Sequence, residues 1–512
     1  MAPTLRLPLC LAATLFGCAE VLTGAAPPSD AAPADAPVDA APDVARAPGL
    51  VRALTITDVA LFQAVRIPLL QAGVTVTERA LPVIAGRRAV LRVYVRPEAG
   101  YAPGAVDAEL TVRREGAPTV LRDRKLIERA SRESESSGLF AFEVPAEMLG
   151  ADTRLSVRLL APGGAQGVVG VDDAARFPYD GGEHAVTARD GGPIEVTLVP
   201  LRWNADRSGR LPDTSPAQVE GFRAVLQAMY PVREVIIDVR EPVPWDRGLL
   251  PSGDADFGAI LSSLRALRRA DDAPQRRYYY GLVAPAEYLD EYCNGRCVLG
   301  QAYLNAGPDD PLGKVASGVG FGDRSGDRTF AHEMGHSHGR PHAPCGGAAG
   351  VDSQFPYEGG TLGVWGYDVR RRTYVRPSSF DFMGYCTPDW VSDYTYGALW
   401  DRIVAVNSPL PQGLAAPVSV APALRHRVLR YGPAMAPEWL DALTMPAETH
   451  GGATLRWLDG DGRAVGRAEA RVDVLADSDE AHVLVPPAPA GARAVEVTHG
   501  GETRRVALPS PW

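Results

Sequence analysis

The stretch Phe330-Ala331-His332-Glu333-Met334-Gly335-His336-Ser337-His338-Gly339-Arg340-Pro341-His342 holds four of the chain's nine histidines. Three of them stand at offsets that suit one metal ion. Residues four apart on an α-helix share a face, so His332 and His336 offer their imidazoles to one point. Gly339 is free to adopt a left-handed conformation, end the helix and let the chain turn back. His342 then reaches the same point from another direction. Three imidazoles on a tetrahedral ion leave the fourth position open to water, which marks a catalytic rather than a structural zinc. Glu333, beside the first ligand, is placed to take a proton from that water. His338 is offset by two from His336 and points off the metal face, so a local packing or surface role suffices for it.

HExxH alone is a common chance match, whereas the longer HExxHxxGxxH is far more selective. The longer pattern resembles the signature of the metzincin clan of zinc endopeptidases. That resemblance implies a methionine-containing turn downstream, and Asp381-Phe382-Met383-Gly384-Tyr385-Cys386 places Met383 41 residues beyond His342. In the clan the equivalent methionine forms an apolar floor beneath the histidines, so Met383 is expected to be structural and not a ligand. Tyr385 matches the tyrosine that, in astacin-like and serralysin-like members, ligates the resting zinc and swings away to hydrogen-bond the transition state. A core tyrosine is the alternative. Ala343, directly after the third histidine, matches none of the Asp, Ser, Glu or Pro of the better-known families. The resemblance is therefore to the clan and not to one family within it.

Length and composition frame this centre. A chain of 512 residues has room for three or four domains, and 46% hydrophobic content fills their cores. The net charge of −10 argues against nucleic acid as a partner. Residues 1–18 read as a secretory signal, with Arg6 before an apolar run too short to span a bilayer. Leu15-Phe16-Gly17-Cys18 resembles a bacterial lipobox, which implies lipidation of Cys18 and an outer-membrane or cell-surface location. Ordinary cleavage nearby, giving a secreted or periplasmic protein, is the alternative. Residues 19–49, rich in Ala, Pro and Asp, read as a disordered tether. At about 3.1 Å per residue such a tether reaches roughly 80 Å.

Residues 50–190 carry short β-branched runs, at 51–56, 89–95, 109–112, 139–144 and 155–160, that suggest an antiparallel sandwich. From 191 to 409 strands alternate with helices. Strands are expected at 194–199, 235–239 and 277–283, and helices after the Ser215–Gln218 capping signal and along Phe257, Ile260, Leu261, Leu264 and Leu267. Residues 314–321 read as an edge strand, which in metzincins aligns the substrate backbone. A helix over 392–406 follows the methionine turn. The aromatics Tyr357, Trp365 and Tyr367 either line the cleft or pack beneath it. Residues 410–512 return to β, with hairpins around 459–462 and 499–502. The Asp459-Gly460-Asp461-Gly462 turn offers too few ligands to support calcium.

Apart from Cys10 and Cys18, four cysteines remain, and an even number in an exported chain suggests two disulfides. Of the three pairings, Cys293–Cys297 with Cys345–Cys386 is favoured. The whole reads as a multidomain protein: a central α/β metzincin-like catalytic domain flanked by two all-β, sandwich-like domains. The expected function is that of an exported or surface-anchored, monomeric zinc endopeptidase. Its metal ligands are His332, His336 and His342, its general base is Glu333, and its substrate is a protein or glycoprotein. A mucinase-like, glycoprotein-directed protease and a non-catalytic binding protein with a decayed protease domain are the competing readings.

Overall fold

The computed structural model describes residues 49–510, apart from 136, 162–172, 294, 296, 305–306, 323–325, 409–422, 433–435 and 446–450. The expected signal, the Cys18 lipidation site and the tether up to residue 48 lie outside the described residues. Ala47–Trp512 forms one compact unit. Among the described residues no helix is long and apolar enough to cross a membrane.

A six-stranded sheet lies at the centre of this unit, in the order Val235–Val239, Ile194–Trp203, Arg277–Val283, Val315–Val319, Gly300–Ala302. Val243–Trp245 pairs with the far half of Ile194–Trp203. Every pairing is parallel except that of Gly300–Ala302 with Val315–Val319. This corrects the expected edge: Val315–Val319 is an interior strand buried along its whole length, and Gly300–Ala302 is the edge. Three residues of Gly, Gln and Ala are too few to show a period of two and carry little β preference, so the sequence hides them.

Helices α1 (Pro216–Met229), α2 (Phe257–Ala270), α3 (Leu289–Tyr292), α4 (Gly326–Ser337) and α5 (Asp393–Asn407) surround this sheet. Ser215 caps α1 and Asp256 caps α2, each side chain accepting from the backbone N–H three residues on. Alternate residues of the Arg277–Val283 strand serve opposite faces. Tyr278, Tyr280 and Leu282 join Phe222 of α1 and Phe330 of α4 in one hydrophobic cluster. Tyr279 and Val283 join Ile260, Leu261 and Leu264 of α2 in another.

Toward the N-terminus lie two five-stranded sheets whose buried residues belong to the same cluster as α1 and α4. Thr119–Ile127 carries little apolar signal because it is an exposed strand. Its Arg122 and Arg124 pair across the ladder with Glu109 and Asp107. The aromatics of 355–368 are packed. Tyr367 is buried against Phe62 and Val90, and Tyr357 donates to Asp393 at 2.8 Å.

Toward the C-terminus a seven-stranded sheet packs on α2, and Val428, Leu440, Leu443, Leu475 and Leu484 share the cluster of the α2 side chains. The contact is also ionic. Arg265 of α2, stacked 3.4 Å from the Tyr303 ring centre, meets Asp473 at 2.8 Å, with both side chains almost wholly buried. Arg430 meets Asp256 at 2.8 Å and Glu480 at 2.8 Å. The Asp459 carboxylate of the acidic turn accepts from the N–H groups of Asp461 and Arg463, so it is used within its own turn.

His482 makes this contact sensitive to acid. Its Nδ1 lies 2.7 Å from the Tyr303 hydroxyl, and burial, reinforced by the charges of Arg265 and Arg430, holds its imidazole well below the usual range. The folded protein keeps the ring neutral, whereas the unfolded chain protonates it near pH ~6.5. The group therefore leaves stability intact above that pH and erodes it as pH falls, by up to about 1.4 kcal/mol per unit. In urea unfolding between pH 7.5 and 5, wild type is expected to lose stability more steeply than His482→Gln. Parallel pH profiles would count against this account.

Candidate metal centre

Helix α4 ends as its sequence dictates. Gly339 sits at φ 81°, Arg340 N–H donates to Gly335 C=O at 3.0 Å, and Gly339 N–H donates to His336 C=O at 2.7 Å. These are the paired bonds of a Schellman cap, and they turn the chain so that His342 faces back toward the helix. Gly339→Ala has open space for its methyl group, so its cost is backbone strain of about 1–2 kcal/mol. We expect that loss in denaturant unfolding, together with weaker zinc retention against a chelator, because the same turn aims His342. Unchanged zinc retention would separate the cap from the metal site.

The three imidazoles converge. His336 Nε2 lies 3.0 Å from His332 Nε2 and 3.1 Å from His342 Nε2. Each Nδ1 faces a backbone carbonyl: His332 that of Phe382 at 2.8 Å, His336 that of Arg340 at 2.6 Å, His342 that of Ala349 at 2.5 Å. A carbonyl has no proton to give, so each Nδ1 is the nitrogen that donates there, and each Nε2 is the nitrogen turned to the shared point. In their neutral, Nδ1-protonated form the three Nε2 lone pairs, about 3 Å apart, are offered together to one cation. Burial holds His332 below its usual range and His336 well below it, so both rings are neutral, as metal ligation demands. The residues present fit a zinc ion.

Glu333 is 3% exposed, and its Oε2 has no hydrogen-bond partner among the described residues. Burial first, then the charge of Asp477, pushes its carboxyl well above the usual range. The edge strand passes directly over it: a methyl group on Gly300 would stand 2.7 Å from Glu333 Cγ and 2.7 Å from Ser317 O. Met383 is buried against α4 at Gly335, where an added Cβ would meet its sulfur at 2.3 Å. Tyr385, 43% exposed, brings its hydroxyl to 3.2 Å from His342 Nε2. Burial, then the charge of Asp477, holds that phenol protonated. His338 is buried elsewhere, stacked on Tyr278 with its Nδ1 2.7 Å from Met334 O, and burial pushes it down to about 3.

Covalent and hydrogen-bonded ties hold the methionine turn in place. Cys345 is joined to Cys386 with Cα atoms 5.7 Å apart, and Cys293 to Cys297 at 5.4 Å. Arg328 of α4 meets Asp389 at 2.7 Å and donates to the carbonyl of Cys386 at 3.1 Å. Asp381, fully buried, accepts from Met383 N–H at 2.9 Å and from Ser392 N–H at 3.0 Å, and so fastens the turn to the start of α5.

Four participants escaped the sequence reading. Gly300, Gly335 and Asp381 act through close contacts that no spacing rule reveals. Asp477 comes from the C-terminal sheet. Its Oδ1 lies 3.1 Å from His342 Nε2 and accepts from the Tyr385 hydroxyl, and its Oδ2 lies 3.6 Å from His336 Nε2. One ligand atom from each of His332, His336, His342 and Asp477 falls within 4.8 Å of the others. Asp477 is separated from His342 by 135 residues, so only the folded chain could reveal it.

Comparison with known proteins places this centre in a class. Residues 305–387, which hold the three histidines, Glu333, Met383 and Tyr385, match Peptidase M66, a zinc metallopeptidase family. The matched stretch ends well before Asp477. The chain is also 34% identical over 144 residues to Dictomallein-1 of Dictyostelium discoideum. That alignment covers 27% of this chain and 21% of the relative, so it spans about a fifth of the curated protein's length. A solved structure, a calcium-binding mutant of Bacteroides uniformis beta-glucuronidase 2, aligns with 90% of this chain and 60% of its own at 9% identity. Its TM-score of 0.15 is too low to support any argument.

Proposed function

We propose that this protein is an exported, zinc-dependent endopeptidase of metzincin type. The observation that carries the proposal is the convergence of three histidine Nε2 atoms beside the buried Glu333 carboxyl. His332, His336 and His342 would hold the ion. When bound, zinc would supply a Lewis acid that polarises the scissile carbonyl and acidifies water.

The chain's own groups do the rest. Glu333 accepts a proton at its carboxylate and passes it to the leaving amine. Its raised proton affinity suits the return step, and a nearby cation opposes that rise, leaving the group poised between the two. Tyr385 donates its hydroxyl hydrogen bond to the oxyanion. The backbone of the Gly300–Ala302 edge offers the substrate an added strand. Met383 and Gly335 form the close-packed floor under the ligands.

The substrate is a protein, and a glycosylated one is the narrower reading. Comparing glycosylated with enzymatically stripped substrates separates the two. Two disulfides fit an oxidising compartment, and lipidation of Cys18 would add a surface anchor. Purified protein should digest casein, lose that activity on dialysis against a chelator, and regain it on addition of stoichiometric zinc. Digestion unaffected by metal removal would refute the assignment.

A further inference from the structure

The metal centre contains one acceptor more than catalysis needs. A catalytic zinc keeps one position for water, yet a fourth protein donor stands among the three histidines. His342 Nε2 faces the shared point of the three imidazoles, its Nδ1 being turned to the Ala349 carbonyl. Asp477 Oδ1 approaches it to 3.1 Å, so a cation held by the imidazoles would meet this carboxylate as well. Asp477 Oδ2 has no hydrogen-bond partner among the described residues.

The way Asp477 is delivered points further. It lies between strands Ala464–Val474 and Ala481–Val485, at φ 60°, a conformation that an L side chain adopts at a cost. The chain entering this turn lies along the outer side of the catalytic edge strand. Ala476 N–H donates to Ala302 C=O at 2.8 Å, Leu304 N–H donates to Val474 C=O at 3.1 Å, and Tyr303 bridges Leu475 in antiparallel fashion. The turn thus occupies backbone positions at the edge where a substrate strand would pair, and it places a carboxylate where water would bind. Glu480, at its far end, is tied to Arg430 at 2.8 Å, which fixes the turn to the docked C-terminal sheet.

We propose that Asp477 is a fourth metal-binding residue through which the C-terminal domain holds the catalytic centre in a closed form that exchanges with an open, active one. Opening requires the 475–480 turn to leave the Ala302–Leu304 edge, by cleavage of the turn or by displacement of the sheet that carries it. This regulation rests on the zinc-peptidase reading of the same site.

The test uses the full-length protein loaded with cobalt(II), whose visible absorption reports the number and type of ligands, and acetohydroxamate as a small metal-binding probe. Asp477→Gly removes the carboxylate and tolerates the positive φ, while Asp479→Ala in the same turn, exposed and away from the centre, serves as the control. The expected result is a changed cobalt spectrum and about tenfold tighter acetohydroxamate binding in Asp477→Gly, with faster loss of metal to a chelator. Asp479→Ala should match wild type. Cobalt uptake by all three proteins with one spectrum and one acetohydroxamate affinity overturns the proposal and leaves the peptidase reading standing. Failure of every protein to take up cobalt or zinc overturns both.

Discussion

Glu333→Gln is expected to lower kcat/KM on casein by about 10²–10⁴-fold while the zinc content of the purified protein stays unchanged. The amide keeps the shape of the carboxyl but cannot accept a proton. The side chain is nearly wholly buried, and burial, then the charge of Asp477, pushes its carboxyl well above the usual range. Glutamine fills the same buried space and gives up no ion pair within the described residues, so the melting temperature should hold. That pairing of outcomes is diagnostic. A fall in activity accompanied by loss of zinc or of stability would assign Glu333 to the scaffold and reopen the reading of a decayed, non-catalytic domain.

The second large effect lies at the contact between α2 and the C-terminal sheet. Asp473→Leu leaves the Arg265 guanidinium buried without its carboxylate, and an uncompensated buried charge costs about 3–5 kcal/mol. Arg471 adds to the strain, since it meets Asp473 at 2.7 Å as well as pairing with Asp310. Urea unfolding should show the loss, and the double variant Arg265→Met with Asp473→Leu should recover much of it, because two apolar residues replace two charges. If the single and double variants are equally destabilised, the ion pair is not what joins these regions. Because the same sheet carries Asp477, the single variant should also raise casein-digesting activity above that of wild type if the closed form depends on docking.

Some of this protein could be read directly from its sequence. His332, Glu333, His336, Gly339 and His342 are local: a helix fixes the first three within one turn, and a glycine-ended cap fixes the return of the fifth. Met383 and Tyr385 could be named because a resemblance says where to look, and the two disulfides because only three pairings existed. Strand Thr119–Ile127 could not, since its stabilisation is a row of cross-strand charges rather than alternating apolar residues. The edge strand Gly300–Ala302 could not, since its glycine matters for the side chain it does not have.

What the sequence determined by itself was the local spacing of the three histidines and Glu333, because spacing along a helix is set by bonds between near neighbours in the chain. The tertiary structure alone decided what surrounds that centre. The edge over Glu333 and above all the carboxylate of Asp477 arrive through contacts whose partners are tens to more than a hundred residues apart, and the Asp381 fastening joins the turn to a helix start 11 residues on. No periodicity connects residues that far apart, and only the packing of the C-terminal sheet against α2 brings Asp477 to the histidines.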